Sequence, residues 1–550
     1  MTSVTIYGGV GEIGGNKVLV ESGETRILLD FGTRLGYESR FFSDFVNPRT
    51  NTALRDRLAI GALPRIPGIY REDMVRPSGY EALADARGDR VLRPDSPYFR
   101  LDGVRTYEEY LQDAGKPYVQ AIFLSHAHLD HTGAIGYLDH RIPLFCSVVT
   151  ETMVRAIDEM STQGAEVLTS KERDVWFTGT RSTFPGTPKI ARSDVIEREC
   201  HTMADGGVVD LDGLRVRLIE VDHSVPGAAS FVVEAGDLRI LYTGDIRFHG
   251  SRPMTVEEYV ERIGPIDVLL CEGTRVDSRQ ILYEQQVGLE LRERFERVWG
   301  LVLIDFSWKD TTRFETVRDA AAHAGRTLVI NARLAYLLHR LRMDPGTNVK
   351  VFLKRRDSCL YSPSDYTRAK HEYGPSTDWD EAIDSTHYDD GLVAEQIRAD
   401  PGRYVLMLSY YDLGQLFDFA DAEGQIPGSL FIKAQCEPFS DEMEIDEERL
   451  INWLDMFGVG YFLGKTPLPD GCTNPQCSRL HQRVERSHVS GHASRPELLE
   501  LISLLGPKVV IPVHTESPEA FLDIASELKE ERGQEIRVIL PKKGDKYSFW

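Results

Sequence analysis

Four side chains able to bind a metal fall within six residues, in Ser125-His126-Ala127-His128-Leu129-Asp130-His131. The apolar run Ala121-Ile122-Phe123-Leu124 directly before them predicts a buried strand. A strand ending in His-x-His-x-Asp-His throws imidazoles and a carboxylate onto one short loop at a sheet edge. Neutral ring nitrogens beside a hard oxygen suit zinc or manganese. A solvated polar turn would be an odd place for three histidines and an aspartate. Two later segments can complete such a site. Val221-Asp222-His223-Ser224-Val225-Pro226 places a histidine at a strand end, and Tyr242-Thr243-Gly244-Asp245 places an aspartate at the next one. Together they add an imidazole and a carboxylate able to bridge two ions.

Side chains so far apart in the chain need a large fold to bring them together. At 550 residues the chain can bury several cores, and its 41% hydrophobic content is that of an ordinary globular protein. No apolar stretch approaches the roughly eighteen residues that span a bilayer. The start, Met1-Thr2-Ser3-Val4-Thr5, enters a strand directly and does not resemble a signal peptide, so a cytoplasmic location with no membrane partner is expected. Seven scattered cysteines agree with a reducing compartment. Cys472 and Cys477, with His481 and His488, could hold a small structural zinc, but the loose spacing favours free thiols. The net charge of −22 repels nucleic acid at long range, so a nucleic-acid partner would require a local basic patch. Lys354-Arg355-Arg356 and Arg479, Arg483, Arg486 and Arg495 are candidates, each equally readable as a solvated face.

Residues 1–30 read as strand, glycine turn, strand, strand. The turn contains Gly9-x-Gly11-x-x-Gly14, formally a dinucleotide fingerprint, but that fingerprint requires a helix next. Alternating apolar residues come instead, so a tight hairpin is expected and the cofactor reading is rejected. Residues 33–117 show little periodicity and predict an irregular excursion with short helices, either a lid or binding surface or a peripheral decoration. Strands recur from 208 to 246. After Val268-Leu269-Leu270-Cys271-Glu272 they alternate with helices, the signature of a parallel α/β unit.

The pattern His-x-His-x-Asp-His, His223 and Asp245, with Asp30 ending an early strand, resembles the metallo-β-lactamase fold. Gly8-Gly9-Val10-Gly11-Glu12-Ile13-Gly14-Gly15-Asn16, Ser487-His488-Val489-Ser490-Gly491-His492-Ala493-Ser494 and Ile511-Pro512-Val513-His514 resemble the ribonuclease J group of its β-CASP branch. The resemblance implies an α/β fold, an αββα sandwich with an inserted parallel α/β β-CASP domain. The expected boundaries are 1–275 for the first part of the sandwich, 276–437 for the insert and 438–550 for the second part. It also implies two divalent ions, zinc first and manganese as the alternative. His126, His128 and His223 would hold one, Asp130, His131 and His514 the other, with Asp245 bridging. Asp30 and Glu272 would support the ligands from behind. Asp130, Asp245 and His492 would act in catalysis, and Ser490, Gly491, His492 and Ser494 would meet the phosphate. Ser307 would line a pocket for a 5′-phosphate, or else cap the helix that comes after it.

The activity so implied is hydrolysis of RNA phosphodiesters by metal-bound hydroxide, as a 5′-to-3′ exonuclease with endonuclease activity as a second mode. In the β-CASP branch, histidine at the last motif marks RNA-directed members and valine the DNA-directed repair enzymes, so His514 favours RNA, with single-stranded DNA as the alternative. A small-molecule hydrolase such as a lactonase would leave the insert and the late histidine blocks without a purpose, and a non-catalytic scaffold would not need the full ligand set. The 96 positions between Asp30 and His126, and the short chain after His514, depart from the ribonuclease J pattern and leave substrate preference and homodimer formation open.

Overall fold

The computed structural model describes residues 1–42, 46–49, 52–77, 101, 103–160, 166–177, 188–251, 254–353, 391–436, 438, 441–463 and 488–549. Lys354–Arg356, Arg479, Arg483, Arg486, Cys472, Cys477 and His481 lie outside the described residues.

Alternation of apolar residues builds two seven-stranded mixed sheets. The first runs Lys546–Phe549, Thr2–Gly8, Lys17–Ser22, Thr25–Leu29, Ala121–Phe123, Leu144–Ser147, Cys200–Met203 from edge to edge. Its first three pairings are antiparallel and the rest parallel. The second runs Arg537–Val538, Val509–Val513, Val268–Glu272, Leu238–Tyr242, Ala229–Ala235, Leu214–Glu220, Val208–Leu211, with three parallel then three antiparallel pairings.

Because successive strand residues face opposite sides, each sheet offers two apolar faces. Val4, Ile6, Val18, Val20 and Phe123 of the first sheet meet Val216, Leu218, Phe231 and Val233 of the second in one core. Phe123 stacks on Phe145 at 5.0 Å and meets Phe231 edge-on at 5.5 Å, anchoring the strand that delivers the histidine loop. The outward faces are covered by helices, Val148–Met160 on one side and Val256–Ile263, Arg495–Leu505 and Ala520–Arg532 on the other. This is the expected αββα sandwich.

The insert is a six-stranded, wholly parallel sheet in the order Val349–Val351, Thr327–Ile330, Tyr404–Met407, Val302–Asp305, Leu430–Lys433, Gly460–Leu463. Alternate residues of its central strands fill separate cores on its two faces. The sheet runs past the expected limit of 437, since Gly460–Leu463 pairs with Leu430–Lys433. A strand pattern does not say which sheet edge the strand will join.

The glycine turn leads into the strand Lys17–Ser22, not a helix. It is less a tight hairpin than a loop drawn over the His126–His131 loop: Asn16 N donates to Asp130 O at 3.1 Å, and Val10 bridges to Thr515. The described part of the 33–117 excursion is packed onto the sandwich. Leu54, Leu58, Ile66, Ile69, Tyr70 and Tyr107 join the core on the outer face of the first sheet. It includes the helices Leu35–Glu38, Ala53–Ile60 and Tyr107–Ala114. Among the described residues no helix is long and apolar enough to cross a membrane.

Candidate metal centre

All seven expected ligands meet at the C-terminal ends of the strands of both sheets. Their ligand atoms form two groups, His126, His128, His223 and Asp245, and Asp130, His131, Asp245 and His514, with the atoms of each group within 4.8 Å of one another. Asp245 belongs to both.

In the first group, His128 Nδ1 lies 3.1 Å from both His126 Nε2 and His223 Nε2. Asp245 Oδ2 is 3.5 Å from His126 Nε2 and 3.6 Å from His223 Nε2. His223 is aimed from behind, because its Nδ1 donates to Gly491 O at 2.5 Å. Gly491 must be glycine for this approach, since a Cβ there would lie 2.6 Å from His223 Cε1. Burial pushes the imidazoles of His126 and His223 well below the ordinary range and His128 down to about 4, which keeps their lone pairs free.

In the second group, His131 Nε2 lies 3.3 Å from Asp245 Oδ2 and 3.7 Å from Asp130 Oδ2, and His514 Nε2 is 3.7 Å from Asp130 Oδ2. Asp30 accepts four hydrogen bonds, each 2.7 Å, from His131 Nδ1, Ser125 N, Ser125 Oγ and Tyr242 Oη. His514 Nδ1 donates to Asn16 Oδ1 at 3.2 Å, and Asn16 Nδ2 to Tyr242 Oη at 2.9 Å. Both Asp30 (φ 56°) and His514 (φ 53°) adopt the left-handed backbone region, a strain that persists only where surrounding contacts over-determine it. Burial works against a proton on His131, but Asp245, Asp130 and Asp30 outweigh it and raise its pKa well above the ordinary range.

These residues fit a metal pair on the evidence of their own unmet needs. His131 Nε2, His514 Nε2 and both carboxylate oxygens of Asp245 are buried with no hydrogen-bond partner. Buried polar atoms are rarely left so, and a cluster of them facing one another calls for cations between. Three imidazoles and a shared carboxylate suit zinc or manganese.

His492 stands at the rim, 19% exposed at its side chain, with Nδ1 3.4 Å from Glu272 Oε2 and 3.9 Å from Asp245 Oδ2. Burial disfavours its charged form, yet Glu272 and then Asp245 raise its pKa overall. Glu272, fully buried, also accepts from Ala493 N at 3.1 Å and Thr274 N at 3.0 Å, and so ties the strand Val268–Glu272 to the His492 loop.

Two expected phosphate contacts are placed differently. Ser494 is buried, and its amide and hydroxyl both donate to Glu497 Oε2, at 2.8 and 2.7 Å, so it starts the helix Arg495–Leu505 and has no hydroxyl to offer a substrate. Ser307 is exposed and accepts from Lys309 N at 3.3 Å, while Asp310, accepting from Arg313 N at 2.9 Å, caps the helix Thr311–His323. Ser490 and Gly491 flank the site on the His492 loop. Among the basic and metal candidates, Arg495 pairs with Glu527 at 2.9 Å, and His488 has a buried Nδ1 near Arg313 and Glu284 rather than a described thiol.

Several contributors were not identified from sequence. Ser125 and Tyr242 complete the Asp30 web. Asn16 closes the Gly8–Asn16 block, so its motif, though not its role, was visible. His249 donates to Glu497 at 2.8 Å and to Ser490 O at 3.1 Å, and Arg247 reaches Asp222 at 3.2 Å, fixing the His492 and His223 loops. A histidine and an arginine four and two residues past Asp245 carry no motif that distinguishes them from surface polar residues.

Comparison with known proteins agrees with this geometry. Residues 105–294 match a beta-lactamase superfamily domain, and residues 479–541 match a Zn-dependent metallo-hydrolase RNA specificity domain. Ribonuclease J of Pyrococcus abyssi is 22% identical over 440 residues, covering 76% of this chain and 78% of its own. Ribonuclease J of Mycobacterium tuberculosis is 25% identical over 421 residues, covering 75% of this chain and 60% of its own. Ribonuclease J2 of Bacillus subtilis is 22% identical over 479 residues, covering 84% and 69%. A solved structure of a protein of unknown function from Enterococcus faecalis covers 99% of both chains at a TM-score of 0.62 and 18% identity, a shared fold over the whole length.

Proposed function

The chain belongs to the metallo-β-lactamase/β-CASP family, carries its RNA specificity domain and is distantly similar to ribonuclease J over most of its length; from that premise we propose that it hydrolyses RNA phosphodiesters, chiefly as a 5′-to-3′ exonuclease with endonuclease activity as a second mode. The observation that carries the reading is the paired ligand set sharing Asp245, with buried unmet polar atoms facing one another and His492 at its open rim.

When bound, two divalent ions, zinc first and manganese as the alternative, supply charge that polarises a phosphodiester and acidifies a water. His126, His128, His223 and Asp245 would hold one and Asp130, His131, Asp245 and His514 the other. Asp130 is partly exposed; burial raises its carboxyl, but His131 and His514 outweigh that and hold it below the usual range, so it stands ionised and would orient the attacking water. His492, whose protonated form burial disfavours and Glu272 and Asp245 favour, would in that form donate to the phosphate oxygens or to the leaving oxygen as charge grows there. Ser490 and Gly491 bring the backbone of the same loop against the phosphate. Asp30, Asn16 and Tyr242 hold the ligands still, so no reorganisation is needed during the reaction. Lys309, from the insert, has its pKa lowered by burial, while the Asp130 carboxylate favours its charged form.

Matched 5′-monophosphorylated RNA and single-stranded DNA, digested with zinc or manganese and with Asp130→Ala as control, test the reading. Mononucleotides released far faster from RNA, and absent with the variant, establish the 5′ exoribonuclease. Preferential DNA cleavage moves the protein to a DNA-directed role, and RNA cleavage by Asp130→Ala overturns the assigned chemistry.

A further inference from the structure

The excursion after Asp30 begins at the metal loop itself. Phe31 N donates to His131 O at 3.0 Å and Thr33 N to Leu129 O at 3.1 Å. Leu35, the first residue of the helix Leu35–Glu38, is therefore within about 7 Å of chain of a contact with that loop. From here the excursion combines aromatic rings with cations. The Arg34 guanidinium lies 3.9 Å from the Tyr37 ring centroid, and Arg40 and Lys543 each lie 5.7 Å from it. Phe41 packs on Tyr37 at 5.4 Å yet is 45% exposed, and Leu35 is 43% exposed.

The charges here are unevenly matched. Arg34 is paired with Glu12 at 2.6 Å, and Arg57 takes Glu38 at 3.0 Å. Among the described residues, Arg40 and Lys543 have no carboxylate within ion-pair distance; Lys543 gives its ammonium to Gly61 O at 2.8 Å. Burial and then the neighbouring Arg34 push Lys543 down to about 8, with Glu12 acting the other way. In a chain of net charge −22, these two cations, with no carboxylate partner among the described residues, stand at the half-buried ring of Tyr37, on which the exposed ring of Phe41 packs. The platform itself is held rigid, with Tyr37 Oη donating to Ile60 O at 2.7 Å and Arg34 Nη1 to Gly61 O at 2.9 Å.

We propose that Tyr37, Phe41, Arg40 and Lys543 form a landing platform for single-stranded RNA, with one base stacked on Phe41 and flanking phosphates drawn to Arg40 and Lys543. The inference rests on the proposed RNA hydrolysis and deepens it. Base stacking on an aromatic side chain tolerates any sequence, and phosphate pairing adds a salt-sensitive share. The excursion thus selects strands whose bases are already unstacked, before the phosphodiester reaches the metals.

The test measures KM and kcat on a single-stranded oligoribonucleotide for the holoenzyme, for Phe41→Ala and for the double variant Arg40→Glu/Lys543→Glu. KM rises about tenfold in each while kcat holds, and Phe41→Trp restores KM where Phe41→Leu does not. The double variant also flattens the dependence of KM on salt. Unaltered KM in both variants overturns the platform while RNA cleavage by the parent enzyme keeps the RNA reading. No RNA cleavage by the parent enzyme removes the RNA reading and the platform with it. The altered residues are at the surface, and matching melting curves separate lost recognition from lost folding.

Discussion

The two halves of the metal centre solve the same problem by opposite means. The half built from His126, His128 and His223 is made of neutral imidazoles kept neutral by burial, steadied from behind by Gly491 O at His223 and by Ser125 Oγ, 3.0 Å from His126 Nδ1. The half built from Asp130, His131 and His514 is rich in charge and is held by a web of Asp30, Ser125, Tyr242 and Asn16, with two residues in left-handed backbone. The first half is complete by residue 245. The second waits for His514, which the chain supplies only after the whole insert. Both halves are nonetheless braced by the chain after the insert, the first through Gly491 O on His223 and the second through His514 itself.

The largest effect should come from the residue the halves share. Asp245→Ala is expected to lose both ions and reduce RNA cleavage to background, measured by metal analysis of purified protein beside turnover. Retention of two ions would show that the halves do not depend on a common carboxylate. A step down, Asp30→Asn should lower affinity chiefly for the ion on the His131 side, by roughly 10–100-fold, because Asp30 touches His131 directly and His126 only through Ser125. Gly491→Ala should instead disturb the other ion, by pressing on His223. Calorimetric titration of metal into chelator-treated variants separates the two, and identical profiles would dissolve the distinction.

Acid should also separate the halves. His128 remains neutral until about pH 4, whereas His131 takes a proton well above the ordinary histidine range. Protons therefore compete more strongly for the second half, and stepwise acidification should release its ion before the one on the His128 side, read by metal analysis after dialysis. Loss of both ions together would contradict this. The smallest expected change concerns His492. Activity that needs its protonated form is present below its pKa and lost as pH rises through it. Glu272 raises that pKa against burial, so Glu272→Gln should shift the alkaline fall of kcat to lower pH. An unmoved limb would remove His492 from the proton-transfer role.

Much of the centre was legible because its ligands are chemically unusual and locally dense. His126 to His131 stand out in any reading, and the alternation of apolar residues around them predicts strands whose ends must carry the loop. The glycine block was visible, as was the strand after it that excludes a dinucleotide site. Ser494 shows the limit: in sequence its hydroxyl looks available for phosphate, but a glutamate three residues on claims it at a helix start. The strand Gly460–Leu463 shows another, since its residues satisfy any parallel edge and only packing chose the insert's.

Local chemistry, then, determined on its own which residues could bind metal, where strands and turns begin, and that a parallel unit interrupts a β-rich one. These follow from side-chain type and short-range periodicity. Tertiary structure alone decided that Asp245 is shared, that Asp30 receives four hydrogen bonds, that His249 and Arg247 brace the loops, and that the excursion opens beside the metal loop. Each of these depends on contacts between residues tens to hundreds of positions apart. Hydrophobic burial brings such residues together without regard to their order in the chain, and that order is all a sequence displays.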